Sequence, residues 1–473
     1  MLNINSARLW RDEAFSALTV QLPVTEIIRI SAADNQPPLY FLMLKLSGKF
    51  LGFSEIALRS WSILGMLLSL FFSYKIAQLY FKKAELAGWT LVLTAFNPVI
   101  ILYAIEARAY ALLIAATISA SYFGLEYLKT QNKKWLILLT ISLVVGMYLH
   151  NIFIIPCTVI FGSLVAESIR KNKGHNFMSY LQSNRLLYSI PLIVFIAFMP
   201  WIFNLLAQVG KISSDGFWYQ FVPYRDFFSV ITMLFITDQW SAWGTPLAYP
   251  VTMLTGLVVF SVFYGWFQEI KNSRSKLPIL SILSLLPMLL IYLISFKIPL
   301  MYFRYLLFIL PFLTMLIVLV WSKKQSVLAF LLVLMTISTI YRLVSLPSAK
   351  EDYPKLLSNI IFLQGHDAIV THNAMAFHGL KYYSKYPIYI DAAPESIKGY
   401  DGKAILTAAD YWPQDKRKPV RLWIPYIINW NQNELDSYRA KLTAEGYIEN
   451  YNIKISQTLY LSLYTRNTIE SQD

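Results

Sequence analysis

The stretch Tyr103-Ala104-Ile105-Glu106-Ala107-Arg108-Ala109-Tyr110 decides how this chain folds, because it sets a carboxylate and a guanidinium in a short turn between apolar runs at 86–104 and 108–128. About 20 predominantly apolar residues carry an α-helix across a bilayer, so the two runs read as a helical hairpin in a membrane. Applied outward from that hairpin, the same measure gives about ten spans, at 57–80, 86–104, 108–128, 133–149, 151–168, 186–207, 248–268, 277–297, 300–320 and 326–345.

Composition agrees. Over 473 residues, 56% are hydrophobic and 14% charged, and the mean hydropathy of +0.48 belongs to a polytopic membrane protein rather than a soluble one. The net charge of +14 does not require nucleic acid. Lys and Arg cluster in alternate links: Lys82 and Lys83; Lys129, Lys133 and Lys134; Arg170, Lys171, Lys173 and Arg185; Lys271, Arg274 and Lys276; Lys323 and Lys324. The positive-inside rule places those links in the cytoplasm. The opposite links carry chiefly Arg108, Lys211, Arg225 and Lys297 and face outward. The single cysteine, Cys157, excludes an intrachain disulfide and a cysteine-based metal site.

Three regions follow from this topology. Residues 1–56 form a first extracytoplasmic loop, 57–346 the transmembrane bundle, and 347–473 an extracytoplasmic soluble α/β domain of short apolar runs between turn residues. The outward link 208–247 includes a stretch, 223–235, suited to the membrane surface. Residues 39–52 are apolar but interrupted by Lys45 and Lys49, which fits an interfacial helix started by Pro37 and Pro38. No apolar run ahead of Leu9 to Phe15 would carry that loop across a membrane, so a further helix is expected upstream.

The residues able to do chemistry fall on the outward side. In Leu9-Trp10-Arg11-Asp12-Glu13-Ala14-Phe15-Ser16, two adjacent carboxylates precede an apolar run. The plainer reading is a helix N-terminus, where acids gain roughly 0.3–1 kcal/mol; the functional one is a general base or a metal ligand. Glu106 and Arg108 serve as turn chemistry or complete a site. An exposed ion pair is worth only about 0–1 kcal/mol, which gives stability little reason to place one there. Arg59 and Arg304 lie about one turn inside their spans, where they snorkel to water or hold a phosphate bidentately. His150 occupies an outer turn, as a hydrogen-bonded turn residue or a substrate contact. Carboxylates that activate a hydroxyl and cations that hold a phosphate leaving group describe transfer of a group from a lipid-phosphate donor.

With those residues in view, the chain resembles the bacterial family-39-type membrane glycosyltransferases of the GT-C fold. These are related to protein O-mannosyltransferases, lipid A aminoarabinose transferases and lipopolysaccharide galacturonosyltransferases. The resemblance is carried by Trp10 with Asp12-Glu13-Ala14, by Asp34-Asn35-Gln36-Pro37-Pro38-Leu39-Tyr40, by Ser54-Glu55 with Leu58-Arg59, by Glu106-Ala107-Arg108-Ala109-Tyr110-Ala111-Leu112, and by Arg304-Tyr305 with Pro311. It implies a polytopic helical GT-C bundle in a bacterial inner membrane, facing its chemistry outward, and a polyprenyl-phosphate sugar as donor. It further implies inversion at the anomeric carbon and transfer of a hexosyl or pentosyl group to a hydroxyl of an envelope glycan, lipid or protein.

The resemblance makes Asp12 the base, with Glu106 and Arg108 completing the site in the second outer loop; Glu13, beside the base, is counted with Asp12 and Glu106 in the catalytic set. Arg59, Arg108 and Arg304 are assigned to the donor phosphate, and Tyr40, Tyr110 and His150 to substrate. No cofactor or metal is assigned, although some relatives use a divalent ion on the acidic loop. Two departures stand out: Gln36 where relatives often have histidine before the double proline, and no span ahead of the acidic loop. The rival class is a transporter or flippase of lipid-linked sugars, for which repeat symmetry and midplane charges are expected. A polymerase or ligase with a diphosphate-linked donor is a second rival, set apart by the Asp12-Glu13 pair.

Overall fold

Lipid offers a backbone no hydrogen-bond partners, so an apolar run of spanning length satisfies itself as a helix. The structure, a computed structural model, describes residues 8–171, 184–215, 219–236, 248–272, 277–363, 365–397, 402–413, 419–428 and 432–466. Lys173, Arg274 and Lys276 of the basic links, and parts of the 208–247 link, lie outside the described residues. In chain order the helices are α1 (Arg11–Thr19), α2 (Val24–Ala33), α3 (Leu39–Leu51), α4 (Glu55–Phe81), α5 (Ala84–Ala95), α6 (Pro98–Ala104), α7 (Tyr110–Thr130), α8 (Lys133–Leu149) and α9 (Ile154–Lys171). There follow α10 (Arg185–Asp215), α11 (Pro223–Ile236), α12 (Ala248–Lys271), α13 (Ile279–Ile294), α14 (Leu310–Trp321), α15 (Gln325–Ala349), α16 (Tyr353–Ser358), α17 (Ala374–Tyr383) and α18 (Gln432–Ala444). The chain divides into two compact units, Asn35–Met43 with Arg59–Arg342, and Met1–Asp34 with Leu44–Leu58 and Leu343–Asp473.

The first unit is the membrane bundle. Among the described residues seven segments are long and apolar enough to cross a bilayer: Glu55–Phe81, Tyr110–Thr130, Asn151–Lys171, Arg185–Ile212, Val251–Lys271, Phe303–Trp321 and Gln325–Val344. An eighth is added if α5 and α6, bent by 62°, count as one span. The other two expected positions hold α8 and α13, of 17 and 16 residues. Phe71, Ile141, Phe195, Phe203 and Phe267 are exposed along the spans, apolar surface suited to lipid.

The run 86–104, read as one span, is broken at Asn97-Pro98. Pro98 has no N–H to continue the first helix, and the buried Asn97 side chain caps the second by accepting from Val99 N at 2.9 Å and Ile100 N at 3.1 Å. Its Nδ2 donates to Leu234 O of α11 at 3.1 Å, which fixes the break. At the lysine-rich end, buried Glu269 accepts from Leu280 N, Ser281 N and Tyr80 OH, so one carboxylate serves the N-terminus of α13.

The second unit is built on a five-stranded sheet of β1 (Asp367–Thr371), β2 (Ile388–Ile390), β3 (Arg421–Ile427), β4 (Tyr447–Lys454) and β5 (Leu459–Arg466), in the order β2-β1-β3-β5-β4. β1 runs parallel to β2 and β3, with Ile369 opposite Ile388 and Asp367 opposite Arg421; β5 is antiparallel to β3 and β4. Alternation puts Ile369, Trp423, Leu459 and Leu461 on one face with Tyr353, Phe377 and Leu380, and Val370, Leu422 and Ile424 on the other with Tyr438 and Leu442. This is the expected α/β domain. It also takes in α1, which packs on α17, and α2, so residues that the sequence divides between 1–56 and 347–473 share one unit. As expected, α3 begins directly after Pro38; its Lys45 donates to Val20 O and to Leu22 O at 2.6 Å, just beyond the end of α1.

Burial lowers the pKa of His372 and of His378 to about 4, with Arg439 adding to the first and Lys381 to the second. Because the folded pKa lies below the unfolded one, the unfolded chain binds the protons more tightly. The stability these histidines support is intact above about pH 6.5 and lost as pH falls toward 4. The apparent Tm is therefore expected to fall between pH 7 and pH 5, and the fall to shrink in a His372→Gln/His378→Gln double variant, as read by thermal unfolding.

Candidate active site

A seam of small residues on α4 builds the site in the membrane unit. Ser62, Gly65 and Ser69 face α7, and a Cβ placed on Gly65 would sit 2.7 Å from Ala111 C and Leu112 N. Without side chains between them the two backbones approach directly, as small residues permit in membrane bundles. Ser69 Oγ lies 3.4 Å from Ala111 O. About two turns nearer the helix start, Ser62 Oγ lies 2.6 Å from Glu106 O and 3.1 Å from Arg108 O, and so pins the turn from both sides. Arg108 N donates to Glu106 O at 2.7 Å, which closes that turn between α6 and α7.

Around it stands a layer of aromatic rings. Tyr103 meets Tyr110 at 5.1 Å and Phe303 at 6.3 Å; Tyr110 meets His150 at 5.7 Å, and His150 meets Tyr305 at 6.1 Å. Phe303 opens a 3₁₀ turn, Phe303–Ile309, that leads into α14 and carries Arg304, whose guanidinium lies 5.3 Å from the ring centre of Tyr302. Through its contacts with Tyr110 and Phe303, buried Tyr103 joins the α6–α7 turn to the 3₁₀ turn.

His150 ends α8, and its Nδ1 accepts from Ile152 N at 3.2 Å, leaving Nε2 to carry the ring proton. Burial, with the charge of Arg108, lowers its pKa to about 3, so the ring is neutral at physiological pH. The next residue, Asn151, donates through Nδ2 to Gln208 Oε1 at 2.7 Å and Asn35 O at 3.1 Å. That pair ties the Asn35-Gln36-Pro37-Pro38 segment to α10 beside the histidine. Tyr40 is 1% exposed, with its hydroxyl 3.5 Å from Ser62 Oγ.

Asp12 and Glu13 belong to the other unit, where both lie in the first turn of α1. Their fates differ. Asp12 is half-buried, whereas Glu13 is 0% exposed and pairs with Lys350 Nζ at 2.7 Å. Glu13 Oε2 also accepts from Trp10 N at 3.4 Å, bonding back to the N-cap residue.

The assigned residues differ in burial and in partners. Glu13, read as catalytic, is taken up by a buried ion pair. Arg59, read as snorkelling or phosphate-binding, is 0% exposed, so its guanidinium is committed to the interior. Tyr40 is buried with its hydroxyl beside Ser62, and Tyr110 is buried between Tyr103 and His150. Arg108, Glu106, His150 and Arg304 gather as one cluster in the membrane unit. Sequence reasoning missed Ser62, Gly65, Tyr103, Asn151 and Lys350; of these only Gly65, within Ser62-xx-Gly65-xxx-Ser69, leaves a readable small-residue spacing. Among the described residues no group of three or more His, Cys, Asp or Glu side chains is arranged to hold a metal ion.

An apolar bundle with a charged, ring-lined cluster between its helices and an appended sheet is the architecture of the GT-C membrane glycosyltransferases, and the chain has that fold. It is similar to ArnT from Cupriavidus metallidurans in the apo state, with a TM-score of 0.62 at 12% identity over 97% of this chain and 93% of that one. ArnT from the same organism bound to undecaprenyl phosphate matches with a TM-score of 0.59 at 12% identity, covering 97% of this chain and 95% of that one. In sequence, residues 35–204 match the family described as dolichyl-phosphate-mannose-protein mannosyltransferase. No curated protein sequence matches the chain. The resemblance to family-39-type GT-C glycosyltransferases, read from the motifs, is borne out.

Because the atoms facing Gly65 are backbone, a Gly65→Val side chain has nowhere to go and must push α7 and the Glu106–Arg108 turn aside. Overpacking of this kind costs about 1–3 kcal/mol, so both Tm and activity are expected to fall. Gly88→Ala is the control, since nothing lies within 4 Å of a Cβ there, and it should leave both unchanged.

Proposed function

We propose that the chain is a glycosyltransferase that moves a sugar from a polyprenyl-phosphate donor to an acceptor hydroxyl on the extracytoplasmic side of a bacterial inner membrane. The observation that carries this reading is the cluster of Arg108, Arg304, Glu106 and neutral His150 in a bundle with the fold of ArnT. In a low-dielectric setting, guanidinium groups are the side chains best suited to a phosphate, because their paired donors match its oxygens. The family match over residues 35–204, and the ArnT structure bound to undecaprenyl phosphate, support a lipid-phosphate donor.

In this reading the half-buried Asp12 carboxylate takes the proton of the acceptor hydroxyl. The hydroxyl oxygen attacks the anomeric carbon from the face opposite the phosphate, the bond from that carbon to the phosphate oxygen breaks, and polyprenyl phosphate leaves. One displacement gives inversion. Arg108 and Arg304 bind the phosphate and stabilise the charge that grows on it as the bond breaks. Through its Nε2 proton, neutral His150 donates to a donor oxygen, and Glu106 holds the two cations in register. Arg59, buried one turn into α4, is assigned to the phosphate with them. The transferred group is a hexosyl or pentosyl residue, and the acceptor is an envelope glycan, lipid or protein.

Transfer of radiolabelled sugar from polyprenyl-phosphate donors, in membranes carrying the chain, tests this directly. Removing a general base typically costs about 10²–10⁴ in rate, so Asp12→Asn is expected to abolish transfer while expression and donor binding stay near wild type. Wild-type turnover in that variant would refute Asp12 as the base, and donor crossing the bilayer with no label transferred would replace the transferase with a flippase.

A further inference from the structure

Asp12 is flanked by two residues that the C-terminal part of its own unit holds in place. On one side, Glu13 is 0% exposed and forms its 2.7 Å ion pair with Lys350, itself 7% exposed. On the other, Arg11 Nε lies 3.7 Å from Glu351 Oε1, Arg11 Nη1 lies 2.9 Å from Met375 Sδ, and the Arg11 guanidinium covers the Trp10 ring at 5.5 Å. Two residues further on, Phe15 meets the His378 ring edge-on at 5.6 Å, and Gly402 leaves room for both, since a Cβ there would fall 2.5 Å from His378 Cε1 and 3.0 Å from Phe15 Cδ2. α1 has only nine residues, too few to be stable alone in water. Its position is set by these contacts.

We infer that Lys350 and Glu351 are positioning residues for Asp12, so that the segment leaving the last span is part of the catalytic apparatus. The inference rests on the reading of Asp12 as the base. Lys350 and Glu351 follow directly on α15 and precede α16, whose first turn is capped by Asp352 accepting from Lys355 N at 3.0 Å. Both hands of the clamp therefore come from two adjacent residues at one chain exit, and they grip α1 on either side of the base.

Stability alone gives little reason for this choice. Two buried charges are costly to desolvate, and an apolar pair of the same volume is often as stable or more so. What the ion pair provides is direction: a 2.7 Å charged hydrogen bond tolerates little sliding of α1, and a misplacement of about 1 Å at a reacting group costs as much as 10²-fold in rate.

The experiment compares full-length Lys350→Met, Lys350→Arg, Glu13→Leu/Lys350→Met and Asp12→Asn in detergent, for kcat, for KM of the polyprenyl-phosphate donor and for Tm. Lys350→Met is expected to lower kcat by about 10- to 100-fold with donor KM little changed. Lys350→Arg, which keeps the charge, should retain most of kcat. The double variant should regain the wild-type Tm and keep the low kcat. Wild-type kcat in the double variant while Asp12→Asn is inactive would overturn the inference and leave the base in place. If the double variant does not fold, equal kcat per folded molecule in Lys350→Met and Lys350→Arg overturns it instead. Turnover surviving in Asp12→Asn would remove the base, and the positioning role with it.

Discussion

The contact of α4 with α7 at Gly65 is the constraint from which the membrane part of the site follows. Lipid is as apolar as the side chains of a bundle, so helices in it gain little from burying apolar surface against each other and pack through small residues instead. Backbone meeting backbone at Gly65 permits no adjustable side chain, which makes the approach of the two helices a fixed length. Ser62, three residues earlier on the same face, then finds the carbonyls of Glu106 and Arg108 within reach, and the turn inherits the rigidity of the helices. Tyr110, the first residue of α7, is carried into its place between Tyr103 and His150 by the same geometry.

Electrostatics in that cluster has a definite sign. Within it Arg108 and Arg304 stand against Glu106, and His150 stays neutral because burial and Arg108 disfavour a further positive charge. Charges taken out of water interact more strongly than at a surface. The cluster therefore holds more guanidinium than carboxylate, and the neutral imidazole carries an N–H donor without adding to the repulsion among the cations. The hydrogen bond from Ile152 N to His150 Nδ1 decides which nitrogen carries the proton, so a main-chain amide sets the chemistry of the ring.

Much of the fold was legible because the signals are one-dimensional. Apolar runs mark spans whatever their partners, Pro37 and Pro38 announce α3, and Asp12 and Glu13 sit in a first helical turn as acids tend to. The break at Asn97-Pro98 carried a local signature, a capping asparagine before a proline, but the apolar run on both sides hid it. What the sequence could not supply were the pairings. Glu13 and Lys350 lie 337 positions apart, and no local pattern links a carboxylate ahead of the first span with a lysine after the last. Arg59 is a different case: its depth in the helix was readable, while its burial depends on neighbours that only the packed bundle defines.

The pair Asp12-Glu13 shows how that limit shapes a functional reading. In sequence the two carboxylates are nearly interchangeable, and either could serve as a base. A helix advances 100° per residue, so adjacent side chains cannot face the same neighbour. Once Glu13 points into the unit and is neutralised by Lys350, Asp12 is turned away from that core and remains half-buried. A proton acceptor has to reach its substrate, and a carboxylate buried in an ion pair is the less accessible of the two. The packing of one acid thus sets it apart from the other: Glu13 is held inside the unit by its ion pair with Lys350, and Asp12, its neighbour on the helix, is the half-buried carboxylate of the two.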